Sequence, residues 1–107
     1  MDYIKNEYQT ILDRKAQQQE GSYTCYLFEQ GIDKILKKVG EECTEMVIAA
    51  KNNDKEETVY EITDLIYHTL VMMANQGITP EDIEAELHKR AEKAGNLKKF
   101  HIVDKNT

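Results

Sequence analysis

The sequence is poor in residues that interrupt helices. It contains one proline in 107 residues, and proline is the residue least tolerated inside a helix. The charged fraction is 32% and the hydrophobic fraction is 40%, a mixture rich in Glu, Lys, Leu and Ile that is typical of all-helical proteins. A chain of this length usually forms one domain, so we predict a single all-α domain over residues 1–107.

Long apolar runs and an excess of positive charge are also missing. No stretch approaches the length needed to cross a bilayer, and residues 2–7 carry no apolar run of the kind found in signal peptides. The net charge is -6, whereas nucleic-acid-binding surfaces are normally basic. We therefore expect a cytoplasmic protein that has neither a membrane nor a nucleic acid as its partner.

Cysteine and histidine do not occur in patterns that indicate a catalytic or metal site. The two cysteines, Cys25 and Cys43, have no metal-ligand spacing, and we expect both to be free buried thiols in a reducing compartment. No Glu-x-x-His sequence occurs, and carboxylate-bridged di-iron bundles require that motif on two helices. No Ser/His/Asp or Cys/His arrangement indicates a covalent intermediate.

Apolar residues recur at helical spacing along most of the chain. Ser22 and Asp54 are suitable N-caps, Thr79-Pro80 is typical of a helix start, and Gly77 of a helix end. These signals predict helices over about residues 3–19, 22–30, 32–51, 54–76 and 80–94, followed by a polar tail over 96–107. The short break at Asn52–Asp54 should fold the two longest helices into an antiparallel hairpin. We expect a bundle of four to five helices around this hairpin.

The two hairpin helices carry more apolar surface than a small chain can cover. In the 32–51 helix, eight residues form a stripe that we expect to face the core: Ile32, Ile35, Leu36, Val39, Cys43, Met46, Val47 and Ala50. The 54–76 helix carries two sets, the first being Val59, Ile62, Leu65, Ile66, Leu70 and Met73, and the second Tyr60, Tyr67 and Val71. We expect the second set to be bare in a monomer. Because soluble monomers seldom tolerate such a patch, we predict a homodimer.

Two acidic pairs lie on the hairpin helices, Glu42-x-x-Glu45 and Glu61-x-x-Asp64. Residues three apart on a helix are surface neighbours, so the hairpin would bring four carboxylates together. Oxygen-only ligation favours Mg²⁺ or Mn²⁺, but acidic pairs are also common on solvated faces, and these residues alone leave the two interpretations open. His68, one turn after Asp64, is either an outer partner of the site or an ordinary helix-contact histidine.

These motifs resemble the signature of the all-α nucleoside-triphosphate pyrophosphatase superfamily, which includes the MazG proteins and dimeric dUTPases. Within it, the chain resembles the phosphoribosyl-ATP pyrophosphatase family over about residues 3–94. The resemblance is carried by Ser22-Tyr23-Thr24 with Leu27 and Gly31, by the block from Asp33 to Glu42, and by Asp64-Leu65-Ile66-Tyr67-His68. The resemblance does not extend to the tail after Gly95.

The resemblance implies hydrolysis of phosphoribosyl-ATP to phosphoribosyl-AMP and pyrophosphate, the second step of histidine biosynthesis. It also implies dependence on Mg²⁺, a cytoplasmic location and a helical homodimer. The implied metal ligands are Glu42, Glu45, Glu61 and Asp64. Catalytic candidates are Glu41, Glu42 and Glu61. The implied substrate contacts are Tyr23, Thr24, Lys34, Lys37 and Lys38.

Two alternatives remain beside this interpretation. The nearer is a house-cleaning pyrophosphatase that acts on another nucleoside triphosphate, against which the Ser22-Tyr23-Thr24 segment argues. The further is a non-catalytic helical module that uses its acidic strip as a docking face.

Overall fold

The computed structural model describes residues 2–97 and is entirely helical over that range apart from turns. The five helices are α1 (Tyr3–Ala16), α2 (Tyr23–Gln30), α3 (Ile32–Lys51), α4 (Lys55–Gln76) and α5 (Pro80–Leu97). This confirms the predicted all-α bundle. The predicted tail lies outside the described residues from residue 98 onward.

Side-chain caps fix the helix starts where the sequence placed them. The Ser22 hydroxyl accepts a hydrogen bond from the Cys25 backbone N–H at 3.1 Å, and the Asp54 carboxylate accepts from the Glu57 N–H at 3.1 Å. Gly77 ends α4 with a φ of 75°, a left-handed conformation that costs glycine little. These contacts satisfy backbone groups that a helix end leaves without partners.

Two helix ends differ from the expectation. The first helix ends at Ala16, before the glutamine run that we expected it to include. The Cys25 thiol donates to the Arg14 carbonyl and accepts from the Gln19 N–H. These two contacts hold the segment after Ala16 in the turn that leads to α2, so the glutamine run does not continue the helix. The last helix continues through Gly95 to Leu97, which shows that a single glycine does not end it.

The hairpin of α3 and α4 is the centre of the fold, and these two helices share the most extensive contact. Asn53 takes a positive φ of 55° in the turn between them, a conformation that asparagine tolerates better than most residues. The Asn53 and Asp54 N–H groups then donate to the Ala50 and Ala49 carbonyls, at 3.0 and 3.3 Å.

The core lies at one end of this hairpin, where α1 and α2 cover it. Its buried members are Tyr8, Ile11, Leu27, Ile35, Leu70, Val71, Met73 and Ala74. Polar contacts close the same end: the Tyr8 hydroxyl donates to the Ile78 carbonyl at 2.6 Å, and Lys15 donates to the Ala74 carbonyl at 2.9 Å. By contrast, α5 has no extensive contact with the other described helices.

The predicted core stripe of α3 is largely wrong for the single chain. Of its eight residues only Ile35 is buried, whereas Leu36, Cys43, Val47 and Ala50 are exposed. Val47, for example, retains 57% of its accessible surface. The helices α1 and α2 cover the end of the hairpin where Ile35 lies, and no described helix covers the rest of this side of α3. The expectation of a buried thiol therefore holds for Cys25 but not for Cys43.

The face of α4 that we expected to be bare is also misplaced. Val71 is completely buried and Tyr67 is partly buried, so only Tyr60 of that set is exposed. Val59, Ile62 and Ile66 of the other set are exposed instead. The exposure of these apolar residues thus changes along α4, from exposed near its N-terminus to buried near its C-terminus.

Within residues 2–97, no helix combines the length and apolar character needed to cross a membrane.

Candidate active site

The hairpin brings carboxylates from α3 and α4 to one place. Oxygens of Glu42, Glu45 and Glu61 lie within 4.8 Å of one another, and we call these three residues the carboxylate cluster. Glu42 occupies the side of α3 that also carries Ile35 and Ala49, spaced seven residues apart and all buried. Asp64 is not a member of the cluster, but its charge acts on Glu42. The hairpin thus brings together three of the four implied metal ligands with Asp64 close to Glu42, and their role as ligands stays a prediction.

Two members of the cluster are buried, and each has one oxygen to which no described residue donates a hydrogen bond. Glu42 is 5% exposed and Glu61 is 8% exposed, and one oxygen of each, Oε2 of Glu42 and Oε1 of Glu61, has no partner. Buried carboxylate oxygens are costly unless a donor or a cation compensates them. An all-oxygen set of this kind suits a hard divalent cation such as Mg²⁺ or Mn²⁺.

Burial and neighbouring negative charges also raise the pKa values of two carboxyl groups in the cluster. Burial raises the pKa of Glu61 to about 7, and the negative charge of Glu45 contributes in the same direction. Burial also raises the pKa of Glu42, together with the charges of Asp64 and Glu45. A bound cation would replace these protons, since metal and proton compete for the same oxygens.

Lys38 is the lysine that reaches the cluster. Its ammonium group lies 3.7 Å from Glu42 and 3.4 Å from Glu41. Although partial burial acts to lower the pKa of Lys38, the hydrogen bond to Glu41 and the nearby negative charges raise it above its usual value. Glu41 is exposed, so the structure places this catalytic candidate against Lys38 rather than inside the cluster.

The other two lysines lie farther out. Lys34 sits over the Tyr26 ring, 5.9 Å from its centroid, an arrangement typical of a cation–π contact. Lys37 is exposed. Their implied contacts with a substrate stay predictions.

The first turn of α2 carries Tyr23 and Thr24 to α4. The Tyr23 hydroxyl lies 3.1 Å from His68 Nε2, and Thr24 is hydrogen-bonded to the Tyr67 hydroxyl. His68 is buried, and its Nδ1 lies 2.9 Å from the Asp64 carbonyl oxygen. His68 therefore links α2 to the turn of α4 that carries Asp64.

Sequence reasoning missed Tyr67 as a member of this polar network, because its spacing with Tyr60 and Val71 indicated an apolar face. His68 was left between two interpretations. The structure shows the helix contact, through Tyr23, and places His68 beside Asp64, while its role as an outer partner of a metal site stays a prediction. Its spacing of four residues from Asp64 was the available signal.

A model of the phosphoribosyl-ATP pyrophosphohydrolase family matches residues 5–91 of the chain. A phosphoribosyl-ATP pyrophosphatase of Clostridium novyi is 54% identical over 98 residues, which cover 92% of this chain and 89% of that protein. One from Clostridium acetobutylicum is 60% identical over 91 residues, covering 85% and 83%. The histidine biosynthesis bifunctional protein HisIE of Oceanobacillus iheyensis is 60% identical over 86 residues, which make up 79% of this chain and 40% of that protein.

Proposed function

The chain belongs to the phosphoribosyl-ATP pyrophosphohydrolase family, and we propose that it hydrolyses phosphoribosyl-ATP to phosphoribosyl-AMP and pyrophosphate, a step of histidine biosynthesis. The structural observation that supports this function most directly is the pair of buried, partnerless oxygens on Glu42 and Glu61. A triphosphate is hydrolysed with the help of a divalent cation in most enzymes that act on one, and these oxygens are suited to hold it.

Mg²⁺, or Mn²⁺ in its place, would be held by the carboxylate cluster with Asp64 beside it. When bound, the cation supplies charge neutralisation for phosphate oxygens and a lowered pKa for a coordinated water. The residues that would fix its position, Glu42 and Glu45 from α3 and Glu61 from α4, converge from two helices. The backbone turn at residues 52–54 keeps these helices in register.

The reaction is a displacement at phosphorus by water. A new P–O bond forms from the water, the anhydride P–O bond breaks, and pyrophosphate leaves. The proton of the water passes to a nearby carboxylate, and the catalytic candidates for this role are Glu41, Glu42 and Glu61. Lys38 stands next to two of them and can offer positive charge to a phosphate oxygen.

The proposed substrate contacts are Tyr23, Thr24, Lys34, Lys37 and Lys38. A homodimer and a cytoplasmic location complete the proposal. The dimer is supported by the exposed apolar residues on one half of the hairpin, chiefly Val47 on α3 with Val59 and Ile62 on α4, because a two-fold contact would bury the same patch on both copies.

The decisive experiment is a pyrophosphate-release assay on phosphoribosyl-ATP with and without Mg²⁺, run beside a panel of dNTPs. We expect release that requires Mg²⁺ and a higher kcat/KM for phosphoribosyl-ATP than for any dNTP. Preference for a dNTP would assign the chain to the house-cleaning class. No release from any nucleotide, with no binding of Mg²⁺, would leave only the docking-module interpretation.

A second measurement tests the metal site without turnover. Mg²⁺ should raise the melting temperature, because a ligand that binds only the native state stabilises it. Na⁺ at matched ionic strength should do much less. Equal shifts with the two salts would indicate general screening rather than a site.

A further inference from the structure

The inference concerns the exposed tyrosine pair on α2, Tyr23 and Tyr26, and the kind of ligand that its rings can bind. The centroids of the two rings lie 6.0 Å apart and their planes are inclined by 25°, and Tyr67 continues the row at 6.3 Å from Tyr23. Tyr67 is partly buried, whereas Tyr23 and Tyr26 keep 45% and 41% of their accessible surface. The outer end of the row therefore offers open aromatic surface to a ligand.

The row of rings starts beside the carboxylate cluster. The Tyr23 hydroxyl lies 3.1 Å from Nε2 of His68, whose other ring nitrogen lies 2.9 Å from the carbonyl oxygen of Asp64. Tyr26 follows Tyr23 by three residues on α2, so its ring lies one turn farther from the cluster. In a nucleoside triphosphate one ribose separates the phosphates from the base. A nucleotide whose triphosphate is held at the cluster can therefore place its base at Tyr26.

The groove beside the two rings carries negative charge. It has a volume of about 510 Å³ and is formed by the turn after α1 together with α2. Its charged lining residues are Glu20 and Glu29, both exposed, and no Lys, Arg or His is among the described residues that line it. Glu29 lies one turn after Tyr26, so its carboxylate and the ring are neighbours on the helix surface. The groove therefore favours a ligand group with positive charge and disfavours a phosphate.

The position of Lys34 indicates that the face of the Tyr26 ring attracts a cation. The Lys34 ammonium group lies 5.9 Å from the ring centroid, at the outer limit of a cation–π contact. None of the ion pairs between described residues includes Lys34. A flat cationic ring stacked directly on Tyr26 would come closer and displace the ammonium group, which could then contact a phosphate oxygen of the same ligand.

We infer that Tyr26 is a specificity-determining residue whose ring stacks on the positively charged base of the substrate, and so distinguishes this substrate from ordinary nucleoside triphosphates. A second ribosyl group on a ring nitrogen of adenine makes the ring of phosphoribosyl-ATP a cation near neutral pH, whereas the base of ATP or a dNTP is neutral. A cation gains more than a neutral ring from an aromatic face and from the carboxylates of Glu20 and Glu29. The inference rests on the proposed function for the identity of the substrate, but not for the preference for a cationic base.

The preference can be measured without turnover. AMP that is methylated at N1 has a positively charged base, whereas AMP has a neutral base and the same phosphate. We expect the protein, in Mg²⁺ at pH 7, to bind N1-methyl-AMP at least about fivefold more tightly than AMP in isothermal titration calorimetry. Equal affinities, tighter binding of AMP, or binding of neither would overturn the inference. This result does not depend on whether the protein hydrolyses phosphoribosyl-ATP.

Variants assign the preference to the residues of the groove. Tyr26→Leu should lower the preference by about threefold, because leucine has no aromatic face, whereas Tyr26→Phe should retain it. Tyr3→Leu is the matched control, since Tyr3 is an exposed tyrosine on α1 that does not line the groove. The double variant of Glu20→Gln and Glu29→Gln should lower the preference by about twofold. A preference that persists in Tyr26→Leu or in the double variant, or that Tyr3→Leu lowers equally, would overturn the inference.

Turnover separates recognition of the base from a purely structural role of Tyr26. Tyr26→Leu should lower kcat/KM for phosphoribosyl-ATP by about threefold through KM, with little change for ATP, because the lost ring acts mainly on the cationic base. An equal fall for both nucleotides would indicate a structural role and overturn the inference. If neither nucleotide is hydrolysed, the proposed function fails, and the binding of N1-methyl-AMP still decides the inference.

Discussion

The two halves of α4 carry the same apolar pattern but differ in what covers them. In the C-terminal half, Leu70, Val71 and Met73 are buried against α1 and α2. In the N-terminal half, Val59 is 55% exposed and Tyr60 is 63% exposed, Ile62 is also exposed, and so is Ile66 at the middle of the helix. Spacings of three and four residues run without a break through both halves, so the difference does not come from the sequence of α4 itself.

The cause is the length of the covering helix. With 22 residues α4 is about 33 Å long, whereas α1 with 14 residues reaches only about 21 Å. The carboxylate cluster lies at the boundary of the part of α4 that α1 and α2 cover. His68 packs under α2, and Glu61 lies seven residues earlier, in the N-terminal half that these helices leave uncovered, which we call the open half. A second copy of the chain placed over the open half would therefore border the active site.

The largest effect is expected from Glu61→Gln. Glutamine keeps the size of the side chain but loses the charge that a hard cation needs, so kcat/KM should fall by more than about a hundredfold. The protein should remain folded, because glutamine has nearly the same size and the substitution removes a charge from a buried position. Pyrophosphate release measured beside circular dichroism checks both statements.

Glu56→Gln is the control for that variant. Glu56 is an exposed glutamate in the first turn of α4 and lies outside the cluster, so its loss should change kcat/KM by less than about twofold, as at an ordinary surface position. If Glu61→Gln kept activity within a few-fold of the parent, Glu61 would not be a ligand of the cation.

Shortening an apolar side chain in each half of α4 should distinguish the stability of the single subunit from the stability of the proposed dimer. Leu70→Ala removes a buried side chain and should lower the free energy of unfolding by about 2–5 kcal/mol, independently of protein concentration. Ile62→Ala should cost less at low concentration, and its cost should increase with concentration because it acts through association. Urea unfolding at several protein concentrations measures both. Equal, concentration-independent costs would mean that Ile62 belongs to the core of the subunit.

A charge in the N-terminal half of α4 should directly weaken the proposed dimer. Ile62→Glu places a carboxylate in the apolar patch of both copies, and we expect the dimer Kd to rise by about thirtyfold or more, equivalent to about 2 kcal/mol. Ile83→Glu is the matched control, since Ile83 is also an exposed isoleucine but lies on α5. Light scattering over a dilution series is the measurement. Dissociation by Ile83→Glu alone would place the interface on α5.

The same comparison shows what the sequence could and could not predict. Local signals placed α3 at Ile32–Lys51 without error, because Gly31 precedes it and Asn52-Asn53 follows it. Periodicity also identified an apolar side of α3, but it carries no information on which helix covers that side. Cys43 and Val47 were therefore predicted to be buried, while Glu42 and Ala49 take the buried side that faces α4.

Contacts between residues far apart in the sequence could not be predicted for a related reason. The acidic pairs could be brought together because one short turn joins their helices. The hydrogen bond between Tyr23 and His68 joins residues 45 positions apart, and it depends on how α2 packs, which spacing within either helix does not determine.

The smallest expected effect is a pH dependence of stability in the metal-free protein. Burial raises the pKa of Glu61 from 4.5 to about 7, so between these values the folded protein binds a proton that the unfolded chain releases. The free energy of unfolding should therefore fall as the pH rises from 4.5 to 7. Below 4.5 both states hold the proton, and above 7 neither does, so the contribution of Glu61 should be level outside this window.

Glu61→Gln isolates this contribution, because it has no group that titrates at that position. In the presence of a chelator, the stability of the parent relative to Glu61→Gln should decline between pH 5 and pH 7, and Glu56→Gln should follow the parent. With saturating Mg²⁺ the decline should disappear or reverse, since the cation replaces the proton on the same oxygens. Urea unfolding at pH 5, 6, 7 and 8 gives the difference. Parallel curves for the parent and Glu61→Gln would mean that the Glu61 carboxyl titrates as an exposed group, although it lies buried in the half of α4 that α1 and α2 do not cover.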